Sequence, residues 1–261
     1  FADSLVRLSV PYDSDEALEL TDRLARFIKD TAWDESRLLA EERGPFPEFE
    51  RSELKERGMA AVRNSSVITI APTGTISRIA GCSSGVEPHF ATAWWSNVLW
   101  ENHEGSSSRL LDAPASVRET LVDRLGETQA TEVLEHIADR PSTAEAILAE
   151  HGVDDSVYRT SMAISQEAHI RMQAAWQQHV TNSVSKTINL PNTASVSDVK
   201  DAFRLAWETN CKAVTVYRDG SKSMQVLETG GGEASEPTDH MLVPRQRPTT
   251  VKGVTERVRT G

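Results

Sequence analysis

Residues 66–77 read SVITIAPTGTIS. Polar Asn64 and Ser65 precede the run, β-branched Val67, Ile68, Thr69 and Ile70 fill it, and Pro72 closes it, so residues 66–71 predict a buried strand. A turn follows, and the spacing predicts a helix beginning over residues 77–80. Glycine permits a tight bend at Gly74, successive amides can point inward, and Thr73, Thr75 and Ser77 add hydroxyls. Partial positive charge at the helix start completes the chemistry of an anion cradle. The turn lacks the lysine of a Walker loop, which suits anchoring a positioned phosphate better than transferring one. The same spacing also fits a plain strand-to-helix turn whose hydroxyls only cap, and on spacing alone that reading is the commoner.

Outward from this stretch, the chain alternates. Asp13 and Ser14, then acidic Asp15 and Glu16, lead into Ala17, Leu20, Leu24, Phe27 and Ile28 at helical spacing, a capped helix running toward Glu42 and stopped by Gly44-Pro45. Aromatic-rich residues 93–100 predict a strand, and residues 103–160 are polar, acidic and helical in flavour, hence peripheral. Ala168, Met172, Ala175, Trp176 and Val180 line one face of a helix over residues 165–180. A strand over residues 184–190 follows, then a helix opened by Ser195 with Asp198 three residues on, then a strand over residues 213–217. Strand, helix, strand in that order predicts an α/β protein with parallel strands covered by helices. Residues 228–240, ETGGGEASEPTDH, hold almost nothing to bury and predict a flexible linker.

Composition narrows the function classes. The 261 residues carry 39 acidic against 28 basic side chains, a net charge of -11, which opposes loose capture of nucleic acid or of an anionic membrane. No apolar run is long enough to span a bilayer, so no membrane is expected. Two cysteines, Cys82 and Cys211, are too few for a disulfide framework and fit a reducing cytoplasm. Cys82 is expected to be a buried small side chain and Cys211 a structural one. His169 and His179 share a helix ten residues apart, and no spacing completes a metal site. Trp94, Trp95 and Trp100 are expected to pack in a core or interface.

Three long blocks carry a resemblance: RNSSVITIAPTGTISRIAGCSSGVEPHF (63–90), HIRMQAAWQQHVTNSVSKTINLPNTASVSDV (169–199) and CKAVTVYRDGS (211–221). Together they closely resemble the later part of the catalytic subunit of class II, adenosylcobalamin-dependent ribonucleotide reductases. The resemblance covers most of residues 1–222 and is weakest over 103–160. It implies a portion of a ten-stranded α/β barrel that reduces ribonucleotides, diphosphates by the family branch, through a cysteine thiyl radical started by adenosylcobalamin. It further implies that Ala71, Pro72, Thr73, Gly74, Thr75, Ile76 and Ser77 contact the substrate phosphates. The radical cysteine, its neighbouring glutamate and asparagine, and the reducing cysteine pair are expected upstream of residue 1, and a cysteine-bearing tail that shuttles reducing equivalents beyond the last residue, so neither cysteine here is assigned a catalytic role. Residues 223–261 are then a linker and the start of a truncated further domain. Implied partners are the ribonucleotide, the N-terminal part of the same enzyme, a thioredoxin-like or dithiol reductant and a second subunit in a homodimer. The isolated piece is expected to be inactive. Two alternatives stand beside this reading: a large-subunit piece of an iron-dependent class I reductase, and a non-catalytic nucleotide-binding module.

Overall fold

The computed structural model describes residues 1–99 and 107–221. Trp100, the expected linker over residues 228–240 and everything beyond it lie outside the described residues. Helix α1 (Ala2–Arg7) precedes α2 (Asp15–Arg43), whose start is fixed by the Ser14 hydroxyl accepting the Ala17 amide at 3.1 Å. Asp15 and Glu16 complement the helix dipole there, and Gly44, at φ 76°, ends the helix in a conformation glycine adopts freely. Ala17, Thr21, Ala25, Trp33, Ser36 and Ala40 form its buried stripe. A short helix α3 (Glu53–Glu56) follows, and then the extended run that carries the turn into α4 (Gly74–Ala80).

That extended run corrects the first expectation. Residues 66–71 form no named strand: they run parallel to residues 181–185 through a single bridge, Ile70 to Val184. Ile68 O accepts the Asn182 amide at 3.0 Å, and Ile70 bonds Ser183 O at 3.2 Å and the Ser185 amide at 2.9 Å. The Thr181 hydroxyl takes the Val67 and Ile68 amides at 3.1 and 2.9 Å, replacing backbone partners. Ile68 and Ile70 are only half-buried and Thr69 is exposed, because this run pairs along one edge among the described residues.

Strands β1 (Trp94–Leu99) and β2 (Ser107–Asp112) pair antiparallel, Trp94 opposite Asp112. After them come α5 (Ala115–Leu125), α6 (Glu127–Asp139) and α7 (Ala144–Glu150). The helical flavour of this region holds beyond residue 115. Val117, Leu121, Leu134, Ile137 and Leu148 are buried together in a core of their own, joined by Val6 and Ala93. Polar residues dominate the composition there by occupying the outer faces, while apolar positions three and four apart converge inward.

Helix α8 (Gln166–Gln177) is buried on nearly every side, with His169, Ile170, Met172, Gln173, Ala174, Trp176 and Gln177 all enclosed. It packs against α2. Its buried amides serve the chain around it: Gln173 Nε2 donates to Ala213 O at 2.6 Å, and Gln177 Nε2 to Asn182 O at 2.8 Å. Strands β3 (Thr187–Leu190) and β4 (Thr215–Arg218) pair in parallel, Thr187 opposite Thr215, joined by α9 (Val196–Glu208). The capping box read from Ser195 and Asp198 is formed, with the Ser195 amide donating to Asp198 Oδ2 at 2.7 Å. Residues 66–71, 181–190 and 215–218 thus lie side by side in parallel, so the α/β expectation holds. No helix among the described residues is long and apolar enough to cross a membrane.

Candidate functional site

The turn expected over residues 72–77 is largely helix. α4 begins at Gly74, three residues before the expected start, so Gly74, Thr75 and Ile76 form its first turn. In an α-helix those first amides have no acceptor within the helix and point out of its end. Thr73 precedes them in the left-handed region, at φ 51° and ψ 18°, a conformation that threonine rarely adopts. Ser77 N donates to Thr73 O at 2.9 Å, and Ser77 Oγ to Gly74 O at 3.1 Å.

The seven residues therefore divide. Gly74, Thr75 and Ile76 are exposed. Ser77 is buried, its hydroxyl turned back onto its own helix. Ala71 and Pro72 are exposed and Thr73 half-buried. The Ser84 hydroxyl donates to Pro72 O at 2.6 Å and lies 3.3 Å from Thr73 Oγ1. Since its proton goes to Pro72, Thr73 is the donor of that second contact. The charge of Arg78, on the same helix, is directed away to Asp112 at 3.1 Å.

A cavity of about 450 Å³ opens beside the turn, reaching from Ala71, Thr73 and Gly85 to Leu24, Ile28 and Trp176. A second, of about 300 Å³, lies across the extended run, between Ala71-Pro72 and residues 183–186 and 213–215. Lys186 lines it with a side chain that has no exposed surface. Its ammonium donates to Glu87 Oε2 at 3.0 Å and to His169 Nδ1 at 2.7 Å. Burial pushes the Lys186 pKa down and Glu87 opposes the shift. Burial, aided by the Lys186 charge, drives His169 down to about 3, so its ring is neutral.

Sequence reasoning missed this network. A signal was present: Lys186 stands before the strand TINL, and Glu87 lies between Val86 and Pro88, each a charge in an apolar setting that demands a partner. Cys82 is also corrected, for it is exposed rather than buried, just past the glycine that ends α4. Cys211 is half-buried and packs beside the β3–α9 cluster, with burial raising its pKa. Trp95 packs against the core of α5–α7, and its indole nitrogen donates to Asp139 at 2.8 Å.

Parallel segments, a helix crossover and a helix start at the end of one segment define an α/β protein. The family described as "Ribonucleotide reductase, barrel domain" matches residues 1–61 and 52–217, and the chain belongs to that family. Among curated relatives, the vitamin B12-dependent ribonucleoside-diphosphate reductase of Thermoplasma acidophilum is 38% identical over 243 residues, covering 93% of this chain and 30% of that protein. The protein of the same name from Mycobacterium tuberculosis (strain CDC 1551 / Oshkosh) is 40% identical over 237 residues, covering 87% of this chain and 31% of its own length. The chain thus spans about 30% of the length of these relatives. Among solved structures, the Actinobacillus ureae class Id ribonucleotide reductase alpha subunit aligns with a TM-score of 0.64 at 20% identity, over 84% of this chain and 38% of that one, a likeness of fold.

Proposed function

We propose that this chain is the substrate-anchoring portion of the catalytic barrel of a cobalamin-dependent ribonucleoside-diphosphate reductase, a cytoplasmic enzyme. Support comes from the relatives' printed names and from one geometric observation: exposed Gly74, Thr75 and Ile76 form the first turn of α4, whose amides lack acceptors within the helix, and Thr75 brings a hydroxyl to that turn. Those groups donate to the substrate's phosphate oxygens, and the helix dipole favours the negative charge. Ala71, Pro72, Thr73 and Ser77 belong to the same site by shaping the turn. Ser77 closes its first helical bond, and the Thr73 hydroxyl braces it on Ser84. Neutral donors bind and orient the nucleotide without drawing charge from its phosphates, which leaves the ribose to react elsewhere on the molecule.

The reaction proposed for the whole enzyme is 2'-reduction by a cysteine thiyl radical, with a dithiol or thioredoxin-like reductant and a homodimeric assembly. Neither Cys82 nor Cys211 takes the radical role in this reading. Among the described residues no three His, Cys, Asp or Glu side chains converge on one point, and the larger cavity is lined mainly by apolar groups. The relatives' names supply the cobalamin, and no described residue is assigned to it.

The test is Thr75→Val in the full-length enzyme. Loss of a hydroxyl that donates to a charged phosphate costs about 1 to 3 kcal/mol, so the apparent Michaelis constant should rise about tenfold with kcat little changed. An unchanged constant removes Thr75 from the anchor.

A further inference from the structure

Lys186 is a buried charge that the proposed anchor does not use directly. Such a charge persists only when its protons find acceptors. Lys186 meets that condition three times, at Glu87 Oε2 (3.0 Å), His169 Nδ1 (2.7 Å) and Thr187 O (3.3 Å), with the Tyr12 ring 5.7 Å away. His169 is free to accept because its other nitrogen donates to Ser161 O at 2.8 Å. The second oxygen of Glu87 takes the Thr187 amide at 2.6 Å. Both ends of Glu87 are thereby fixed to the start of β3.

From Glu87 the contacts lead outward. Its amide donates to Ser84 O at 3.0 Å, closing a turn over residues 84–87, and the Tyr12 hydroxyl donates to Val86 O at 2.6 Å beneath it. On its upper side the Ser84 hydroxyl holds Pro72 O and Thr73 Oγ1. Gly85 lies so close that a β-carbon there would be 3.3 Å from Ala71 O and 3.6 Å from Thr73 Oγ1. Thr73 in the left-handed region is a conformation that its surroundings must hold.

We propose that Lys186 is a positioning residue for the anion-holding turn: through Glu87 and the turn over residues 84–87, it keeps Pro72 and Thr73 in the one conformation that starts α4 at Gly74. This rests on the reading of residues 71–77 as the phosphate anchor. Its signature is selectivity, since displacing the turn weakens what binds through phosphate and spares what binds through the nucleoside.

The experiment measures equilibrium binding of a ribonucleoside diphosphate and of the matching ribonucleoside to the full-length enzyme, together with thermal midpoints. Lys186→Met, which keeps the length and removes the donors, is expected to weaken the diphosphate about tenfold while changing the nucleoside less than twofold. Ser84→Ala, at the partly exposed outer end of the relay, should show the same selective loss. Equal losses for both ligands, or a lowered thermal midpoint with both affinities intact, overturn the proposal. If Lys186→Met does not fold, Glu87→Gln and Ser84→Ala carry the same test with the same outcomes. Thr75→Val separates the two readings. If it leaves diphosphate affinity unchanged, the anchor itself falls, whereas if it weakens that affinity and the relay variants do not, only the positioning role falls.

Discussion

Gly85 approaches Ala71 and Thr73 closely, with a would-be β-carbon 3.6 Å from Thr73 Oγ1. Gly85 has φ 47°, and an added methyl would press on Ala71 O at 3.3 Å. Gly85→Ala should therefore lower stability by about 1 to 2 kcal/mol, the usual cost of a left-handed non-glycine residue, and should shift the turn as well. A thermal melt beside diphosphate binding checks both effects. His169 gives a second expectation at this scale. Its folded pKa is about 3, pushed down by burial and then by Lys186, whereas its ordinary value is 6.5. Between those values the unfolded chain binds a proton that the folded chain refuses. Stability from this group is complete above pH 6.5 and is lost as pH falls toward 3, with a slope of about 1.4 kcal/mol per pH unit. Urea midpoints measured across that window should show the slope, and His169→Gln should flatten it by about one proton.

At the level of elements, legibility followed local chemistry. Helix α2 was readable because Ser14, Asp15 and Glu16 sit at its start and Gly44 at its end, and α9 because Ser195 and Asp198 form their box within four residues. Ser195→Ala should lower stability by about 1 kcal/mol in a thermal melt, and Ser195→Thr should retain most of it. The strand expected over residues 66–71 was less readable: β-branching reports a preference for extended backbone, and the chain there is extended, but partners 113 and 114 residues away decide burial. The start of α4 was misplaced by three residues for a related reason. Thr73 takes a left-handed conformation where the Ser84 hydroxyl contacts it and Pro72 O, and no local rule anticipates that contact. Residues 115–150 show the converse, since a polar average concealed apolar positions that converge only when α5, α6 and α7 pack.

Across the whole molecule, apolar surface remains in view. Phe27 and Leu38 on α2, and Val196, Phe203 and Trp207 on α9, are exposed, the last at 78%. Exposed apolar side chains in such number favour association. The isolated chain is expected to self-associate in sedimentation velocity. Supplied with ribonucleotide, adenosylcobalamin and a dithiol, it is expected to give no deoxyribonucleotide in a product assay. Turnover by the chain alone would contradict the division of labour proposed above.

The order of helices and parallel strands, the capped starts of α2 and α9, and membership in the reductase family were written in the sequence, because each depends on residues near one another along the chain. Three things were decided only in three dimensions: the half-open setting of residues 66–71, the exposure of Cys82, and the relay from Lys186 through Glu87 to Ser84 and Thr73. The physical reason is common to all three. A hydrogen bond between residues some hundred positions apart, such as Lys186 to Glu87, leaves no periodicity behind, and only the packed chain shows which buried charge meets which acceptor.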